Sequence, residues 1–218
     1  DTTENPIKNV FLLSKYYYSQ GLKQSEVLHK IEEYLGQFPF IVLPKWQATI
    51  EKMVAKAKKQ ELIEIDGVAV TQTELEAINS LRKESLRKLA FTLLCLAKFY
   101  DKVNPNNQGW ANTPDKDVFR MANITSLDSR RQQALISELY MLGMVGYSKV
   151  IDNVNLKITF IDSSTDMAVF ITDFHDLGFQ YLKLTGDKHI VSCKKCGRLM
   201  KKKSKRLDYC TLCKNIKA

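Results

Sequence analysis

The stretch CKKCGRLMKKKSKRLDYCTLC, residues 193–213, constrains this chain more than any other part of it. It holds two Cys-x-x-Cys pairs, Cys193 with Cys196 and Cys210 with Cys213, separated by thirteen residues. Two such pairs can bring four thiolates to one tetrahedral ion, each pair forming a tight knuckle. Gly197 directly follows the first pair, where a knuckle often needs a positive φ. The expected cofactor is therefore a single structural Zn²⁺ held by Cys193, Cys196, Cys210 and Cys213. A redox Cys-x-x-Cys would open a helix in a βαβ pattern, and a disulfide framework would need an oxidising compartment. Neither fits two pairs in a loop-rich, Lys-rich tail. Four sulfurs close the metal shell and leave no position for water, so catalytic zinc is not expected. His189 lies close by, but the shell is already full and it reads as a surface or packing residue.

Charge singles out the same tail. The chain carries a net +9, yet residues 188–218 hold eleven Lys or Arg against one acid, Asp208. The tail alone is +10 and the preceding 187 residues sum to −1. Four thiolates around Zn²⁺ contribute about −2, and the folded tail remains strongly basic. Six basic residues fall within 198–206 with no acid among them, denser than solubility requires. Lys194, Lys195, Arg198, Lys201, Lys202, Lys203, Lys205 and Arg206 are the candidate phosphate contacts, in DNA sooner than RNA. The plainer alternative is a solvated, solubilising face. About thirty residues build little core alone, so metal binding is expected to supply the folding energy of the tail.

The body reads as helices with short strands. Residues 84–103 are apolar on nearly every face, the pattern of a buried helix. Residues 104–110 form a loop. Thr113 is the expected cap of a short helix with Pro114 at its first position, and Val118, Phe119 and Met121 on its apolar side. A third helix over 126–142 buries Leu135, Ile136, Leu139 and Leu142 and stops at Gly143. A β-hairpin then turns at Asp152-Asn153, with Leu156, Ile158 and Phe160 alternating with polar residues. Three helices and a hairpin are the order of a winged helix, whose third helix can enter the major groove while the hairpin touches backbone. Arg130, Arg131, Gln132 and Gln133 cluster at the start of that helix and are side chains that read base edges or hold phosphates. Lys149 and Lys157 would serve the wing.

The first 82 residues suggest a looser version of the same plan. Helices are expected over 5–20, 23–37 with Ser25 as cap, and 43–60 with Pro44 at its start. A hairpin is expected around Asp66-Gly67. Thr71 with Glu74 forms a capping box for a helix that runs on toward Leu89. Tyr16, Tyr17 and Tyr18 read mainly as core and rim packing, because three neighbours cannot share one helix face. The expected organisation is an N-terminal helical unit at 1–82, readable as a second winged-helix-like unit, a winged-helix domain at 83–162, a linker and docking segment at 163–187, and a basic four-cysteine zinc ribbon at 188–218. The fold class is mainly α with small β-hairpins (α+β).

Other chemistries leave little trace. There is no Gly-rich phosphate loop and no HExxH. The three His are scattered, no pair of carboxylates is marked as an acid–base site, and Cys95 sits in an apolar helix as a core residue. The first residues are polar, with Asp1 and Glu4 and no leader-like run. The longest apolar run, near Leu89–Ala97, is well short of the ~20 residues of a membrane span. The expectation is a non-enzymatic, cytoplasmic protein.

The segments at 104–162, FHDLGFQYL and the Cys-rich tail together resemble small winged-helix plus zinc-ribbon proteins of phages and mobile elements in low-GC Gram-positive bacteria, over roughly residues 85–215. That resemblance implies action on nucleic acid, in replication or transcription control, or on a host machine that handles it. It carries over the four cysteines and no catalytic residue. Two readings stay open: a nucleic-acid-binding protein, and an interaction module whose basic ribbon engages a host protein or nucleoprotein complex such as a polymerase, a helicase or a defence complex.

Overall fold

The computed structural model describes residues 5–148, 155–202 and 208–215. The chain divides into two compact units, residues 1–64 and 65–218.

The first unit is helical throughout its described residues. A 3-10 turn at Pro6–Asn9 leads into α1 (Val10–Ser19), followed by α2 (Gln24–Gly36) and α3 (Leu43–Ala57). Each helix contributes an apolar stripe to one small core, in which Val10, Val27, Ile31, Leu35, Ile50 and Val54 are fully buried. Tyr17 and Tyr18 pack on this core and Tyr16 is largely exposed, as three consecutive helical positions require. Pro44 sits in the first turn of α3, where its missing N–H costs nothing. Ser25 is not the cap of α2. Lys23 holds that position, and its N–H donates to the Glu26 carboxylate at 2.6 Å.

The hairpin expected at 61–71 does not form. Residues 61–67 are irregular, and β1 (Val68–Thr71) pairs antiparallel with β5 (Met167–Ile171), about a hundred residues on. Among its described residues the first unit has no strand, so the helix-and-hairpin repeat expected there is absent. The reason is burial. Val68 and Val70 are both fully buried in the second unit's core, which a two-stranded local ribbon could not provide.

The second unit is organised around α5 (Glu84–Val103), a 20-residue helix with eleven buried positions. The capping box of Thr71 and Glu74 starts α4 (Gln72–Asn79), which ends there and does not run on into α5. Next come β2 (Trp110–Ala111), α6 (Asp115–Met121), α7 (Ser129–Met141), β3 (Val145–Tyr147) and β4 (Leu156–Ile158). The three strands form one antiparallel sheet in the order β2-β4-β3. Pro114, one residue later than expected, is the N-cap of α6, and the Thr113 hydroxyl bonds instead with that of Tyr100 at 3.1 Å. Asp128 caps α7 by accepting from the Arg131 N–H. Leu135, Ile136 and Leu139 are buried as expected, whereas Leu142 is 54% exposed because α7 has already ended. The turn expected at Asp152-Asn153, and Lys149, lie outside the described residues.

Segment 163–187 is built into this unit. After β5, α8 (Leu177–Leu184) buries Leu177, Tyr181 and Leu182 and packs against α5. Its Gly178 lies so close to the Ala122 carbonyl that any Cβ would collide with it. Helix α8 also supports the final β-ribbon, β6 (Ile190–Ser192) paired with β7 (Leu199–Lys201).

A buried ion pair ties the long-range pieces together. Glu74, fully buried, accepts from the Thr71 N–H at 2.9 Å, from Lys98 Nζ at 2.6 Å and from the Asp162 N–H at 2.8 Å. Lys98 also donates to the Ala69 carbonyl at 2.7 Å. Helix α5, strand β1, the start of α4 and the segment leaving the three-stranded sheet thus meet at one carboxylate. Removing it strands a buried ammonium and two N–H donors. Glu74→Ala is expected to lower unfolding free energy by about 3–5 kcal/mol, measured by urea denaturation with circular dichroism.

Candidate metal centre and basic tail

Strands β6 and β7 present the first Cys pair on a tight turn. The Cys193 N–H donates to the Arg198 carbonyl at 2.8 Å and the Gly197 N–H donates back to the Cys193 carbonyl at 2.9 Å. Gly197 adopts φ 74°, which its lack of a Cβ permits. The second pair flanks the start of α9 (Thr211–Asn215). The Lys194 N–H donates to the Asp208 carbonyl at 3.0 Å and so joins the two halves.

The four Cys Sγ atoms all lie within 4.8 Å of one another, and the Cys196 and Cys210 sulfurs are 3.7 Å apart. All four thiols are free, and that separation is far beyond a disulfide bond of about 2.05 Å. The cluster is close enough to hold one metal ion. The Cys210 N–H donates to Cys193 Sγ at 3.3 Å. That backbone donor, aided by others at Cys196 and Lys195, brings the Cys193 thiol down to about 6. The Cys213 thiol is pushed up to about 12, chiefly by its hydrogen bond with Cys196 and then by desolvation. Without a metal the sulfurs compete for protons, and an ion is the partner that lets all four ionise together. His189 is exposed, and its backbone carbonyl accepts the Lys202 N–H at 2.7 Å.

The basic side chains predicted as phosphate contacts fall into distinct groups. Lys195 and Lys201 are exposed and Lys202 is half-buried. Lys194, also exposed, pairs with Asp208 at 2.9 Å. Lys203, Lys205 and Arg206 lie outside the described residues. Arg198 points inward: its Nε donates to Asp176 Oδ2 at 2.8 Å. Asp176 is only 8% exposed and also accepts from Asn123 Nδ2 at 3.1 Å. Asn123 in turn accepts the Phe179 N–H through Oδ1 at 2.9 Å. This network fastens the Cys-rich module to α8 and to the loop after α6. Sequence reasoning missed Asp176 and Asn123. An Asn at positive φ, 54° here, was their only trace, and backbone angles are not visible in sequence. Between that loop and the module lies a cleft of about 620 Å³ whose walls include Phe179, Lys201, Tyr209 and Lys214.

The helix α7 cluster is likewise divided. Arg130 and Arg131 are exposed, with Arg131 3.7 Å from Asp128. Gln132 donates to the Leu127 carbonyl at 3.0 Å and Gln133 to Asp115 at 2.6 Å. Both Gln side chains, predicted to meet bases, are engaged in holding α7 to the turn before it and to α6. Among the described residues no helix is long and apolar enough to cross a membrane. Cys95 is fully buried, and burial pushes its thiol far up.

Compared with known protein families, curated proteins and solved structures, the chain matches none.

Thiol accessibility gives a direct check of the centre. In metal-free protein, four thiols are expected to react with an aromatic disulfide reagent, Cys193 and Cys213 more slowly because the first is buried and the second holds its proton, while Cys95 stays silent. One equivalent of added metal should protect all four, and lowering the pH should release it, because protons compete for the thiolates. Cys213→Ser should abolish stoichiometric binding.

Proposed function

We propose that this chain is a non-enzymatic nucleic-acid-binding protein in which a structural zinc module supplies phosphate contacts. The observation that carries the reading is the four-cysteine cluster bearing exposed Lys195 and Lys201 while Arg198 is committed to Asp176. Cations not used for cohesion are left facing solvent on a fixed frame. A tetrahedral zinc with bonds of about 2.3 Å sets its sulfurs about 3.8 Å apart, which the Cys196–Cys210 separation of 3.7 Å fits. The all-sulfur donor set favours zinc over hard cations.

Residues from α5 to β4 support a winged-helix unit in this reading. Their order is helix, strand, helix, helix, strand, strand, with the sheet ordered β2-β4-β3. In such a unit α7 would be the groove-facing helix, with Arg130 as its free cation, Arg131 beside it loosely paired with Asp128, and Lys157 on the wing strand. DNA is the favoured polymer, and a replication or transcription role in a phage or mobile element is the setting that the sequence resemblance implies.

A second reading has its own observation. Tyr140, Met141, Leu142 and Tyr147 are all more than 40% exposed, and the Tyr140 and Tyr147 rings touch with centroids 4.9 Å apart. A contiguous apolar patch at the end of α7 favours a protein contact, as in an interaction module acting on a host protein or nucleoprotein complex.

Fluorescence anisotropy of the zinc-loaded chain with duplex DNA, single-stranded DNA and RNA across a salt series separates the two. Nucleic-acid binding predicts an affinity that falls steeply with salt. Lys201→Ala combined with Lys202→Ala should flatten the logarithmic slope on duplex by about 2, at roughly 0.9 per phosphate contact. Arg198→Ala should destabilise the tail and leave the slope of the folded fraction unchanged. Binding no tighter than about 10⁻⁴–10⁻⁶ M to every polymer overturns the proposal in favour of the second reading.

A further inference from the structure

A second cleft, remote in role from the cysteine cluster, lies among α4, α5 and α8. Its volume is about 570 Å³, and its lining includes Gln72, Leu75, Asn79, Arg87, Tyr181 and Leu182. That volume is in the range of small-ligand sites, roughly 300–1,000 Å³.

The group that stands out is Arg87, in the first turn of α5. A guanidinium is always charged and carries five N–H donors in a rigid fork. Here its Nε is buried without a hydrogen-bond partner. Among the described residues its guanidinium makes one bond to protein, from Nη1 to the Leu81 carbonyl, at 3.5 Å and so at the limit of a hydrogen bond. Among the described residues it has no carboxylate within ion-pair distance, whereas Lys88 on the next position pairs with Glu84 and Lys98 with Glu74. A half-buried, unpaired guanidinium is costly to keep unless something answers its charge.

The rest of the cleft is arranged around that charge. No Asp or Glu lines it. Tyr181, 1% exposed, donates its hydroxyl to Asn79 Oδ1 at 2.6 Å. Burial raises the Tyr181 hydroxyl above its ordinary range; the Arg87 charge acts to lower it and the nearby Glu84 carboxylate to raise it, so the donor keeps its proton. With Oδ1 occupied, Asn79 has its amide N–H groups left to offer. The hydroxyl of Thr185, also in the lining, turns to the Tyr181 carbonyl. Leu75, Leu182 and Leu184 supply apolar wall. Gln72, whose amide N–H is taken by Glu76 at 3.0 Å, adds a carbonyl acceptor to the lining, so the Arg87 guanidinium and the Asn79 amide are the donors left beside aliphatic surface.

We infer that this cleft binds the oxyanion group of a small organic ligand, a carboxylate or a phosphate, with the Arg87 guanidinium fork and the Asn79 amide as donors and the leucines packing its apolar body. A carboxylate takes two parallel bonds from the fork once the side chain turns its buried Nε edge into the cleft, and a phosphate offers a further oxygen to the amide. The inference is independent of the nucleic-acid reading, since it uses none of the tail lysines.

The test is a ¹H–¹⁵N NMR titration of the full, zinc-loaded chain with two probes in separate arms, inorganic phosphate and butyrate. Ionic strength is held constant by exchange against chloride. The Arg87 Nε–H and the Asn79 side-chain amide signals are expected to move with saturation in at least one arm, and the stronger arm identifies the headgroup. Arg87→Gln should weaken that binding about tenfold or more, the loss of a hydrogen bond to a charged group, while Arg87→Lys should retain part of it. If neither probe moves those two signals in the unsubstituted chain, or if folded Arg87→Gln binds equally well, the inference is overturned. The first of these readings does not depend on the variant folding.

Discussion

The pair between Arg198 and Asp176 decides what the Cys-rich tail can be. A knuckle module of this size has little core of its own, and among its described residues only the Ile190, Cys193 and Met200 side chains are buried. A metal ion can hold its sulfurs together, but it does not orient the module on the rest of the second unit. The 2.8 Å bond from Arg198 to the largely buried Asp176 does, with Asn123 completing the network from the loop after α6. Attraction between two ions taken from water offsets their desolvation only when geometry is good and remaining lone pairs are satisfied. Asp176 meets that condition, with one oxygen for Arg198 and the other for Asn123. The consequence is that one cation of the tail is withdrawn from any external partner.

The same inward use of charge runs through the second unit. Lys98, Lys88 and Lys102 direct their ammonium groups to Glu74, to the Asn123 carbonyl and to the Gly67 carbonyl, all within the fold. Gln132 and Gln133 close the start of α7. Subtracting these committed groups from the sequence's many basic and polar residues leaves a shorter set. Lys195, Lys201 and Lys202 on the tail, Arg130 on α7 and Arg87 in its cleft belong to that set, with no protein anion within ion-pair distance among the described residues. Function in this chain is best sought where charge is not already engaged in cohesion.

What could be read from the sequence was local. The Thr71–Glu74 box, the continuous apolar run of α5 and the Cys spacing each depend on residues a few positions apart, and each is present in the structure. Local misses moved a cap by one or two residues, at Ser25 and Thr113, or ran α4 on past Asn79; the failures that changed the architecture were long-range. Asp66-Gly67 carries a strong two-residue turn signal, yet β1 finds its partner about a hundred residues later because only the α5 core can bury Val68 and Val70. Nothing near Arg198 announces Asp176, and nothing near Gln133 announces Asp115. The apolar end of α7 misled in the other direction: Leu142 continues the helical period by sequence, but the helix stops at Met141. For the site, the sulfur ligands were legible residue by residue, while the distinction between anchoring and available cations required tertiary structure.

In the proposed function, metal-imposed geometry, beyond mere positive charge, makes the tail a phosphate-binding surface. The direct measurement is nucleic-acid affinity of the metal-loaded chain against the same chain stripped of metal, at one salt concentration. Stripping replaces a centre of net charge about −2 with four neutral or partly ionised thiols, so the tail becomes more positive as it loses its frame. The predicted result is that affinity falls about tenfold or more on stripping and returns with one equivalent of zinc. Unchanged or tighter binding by the stripped chain would contradict it, because charge without structure would then suffice.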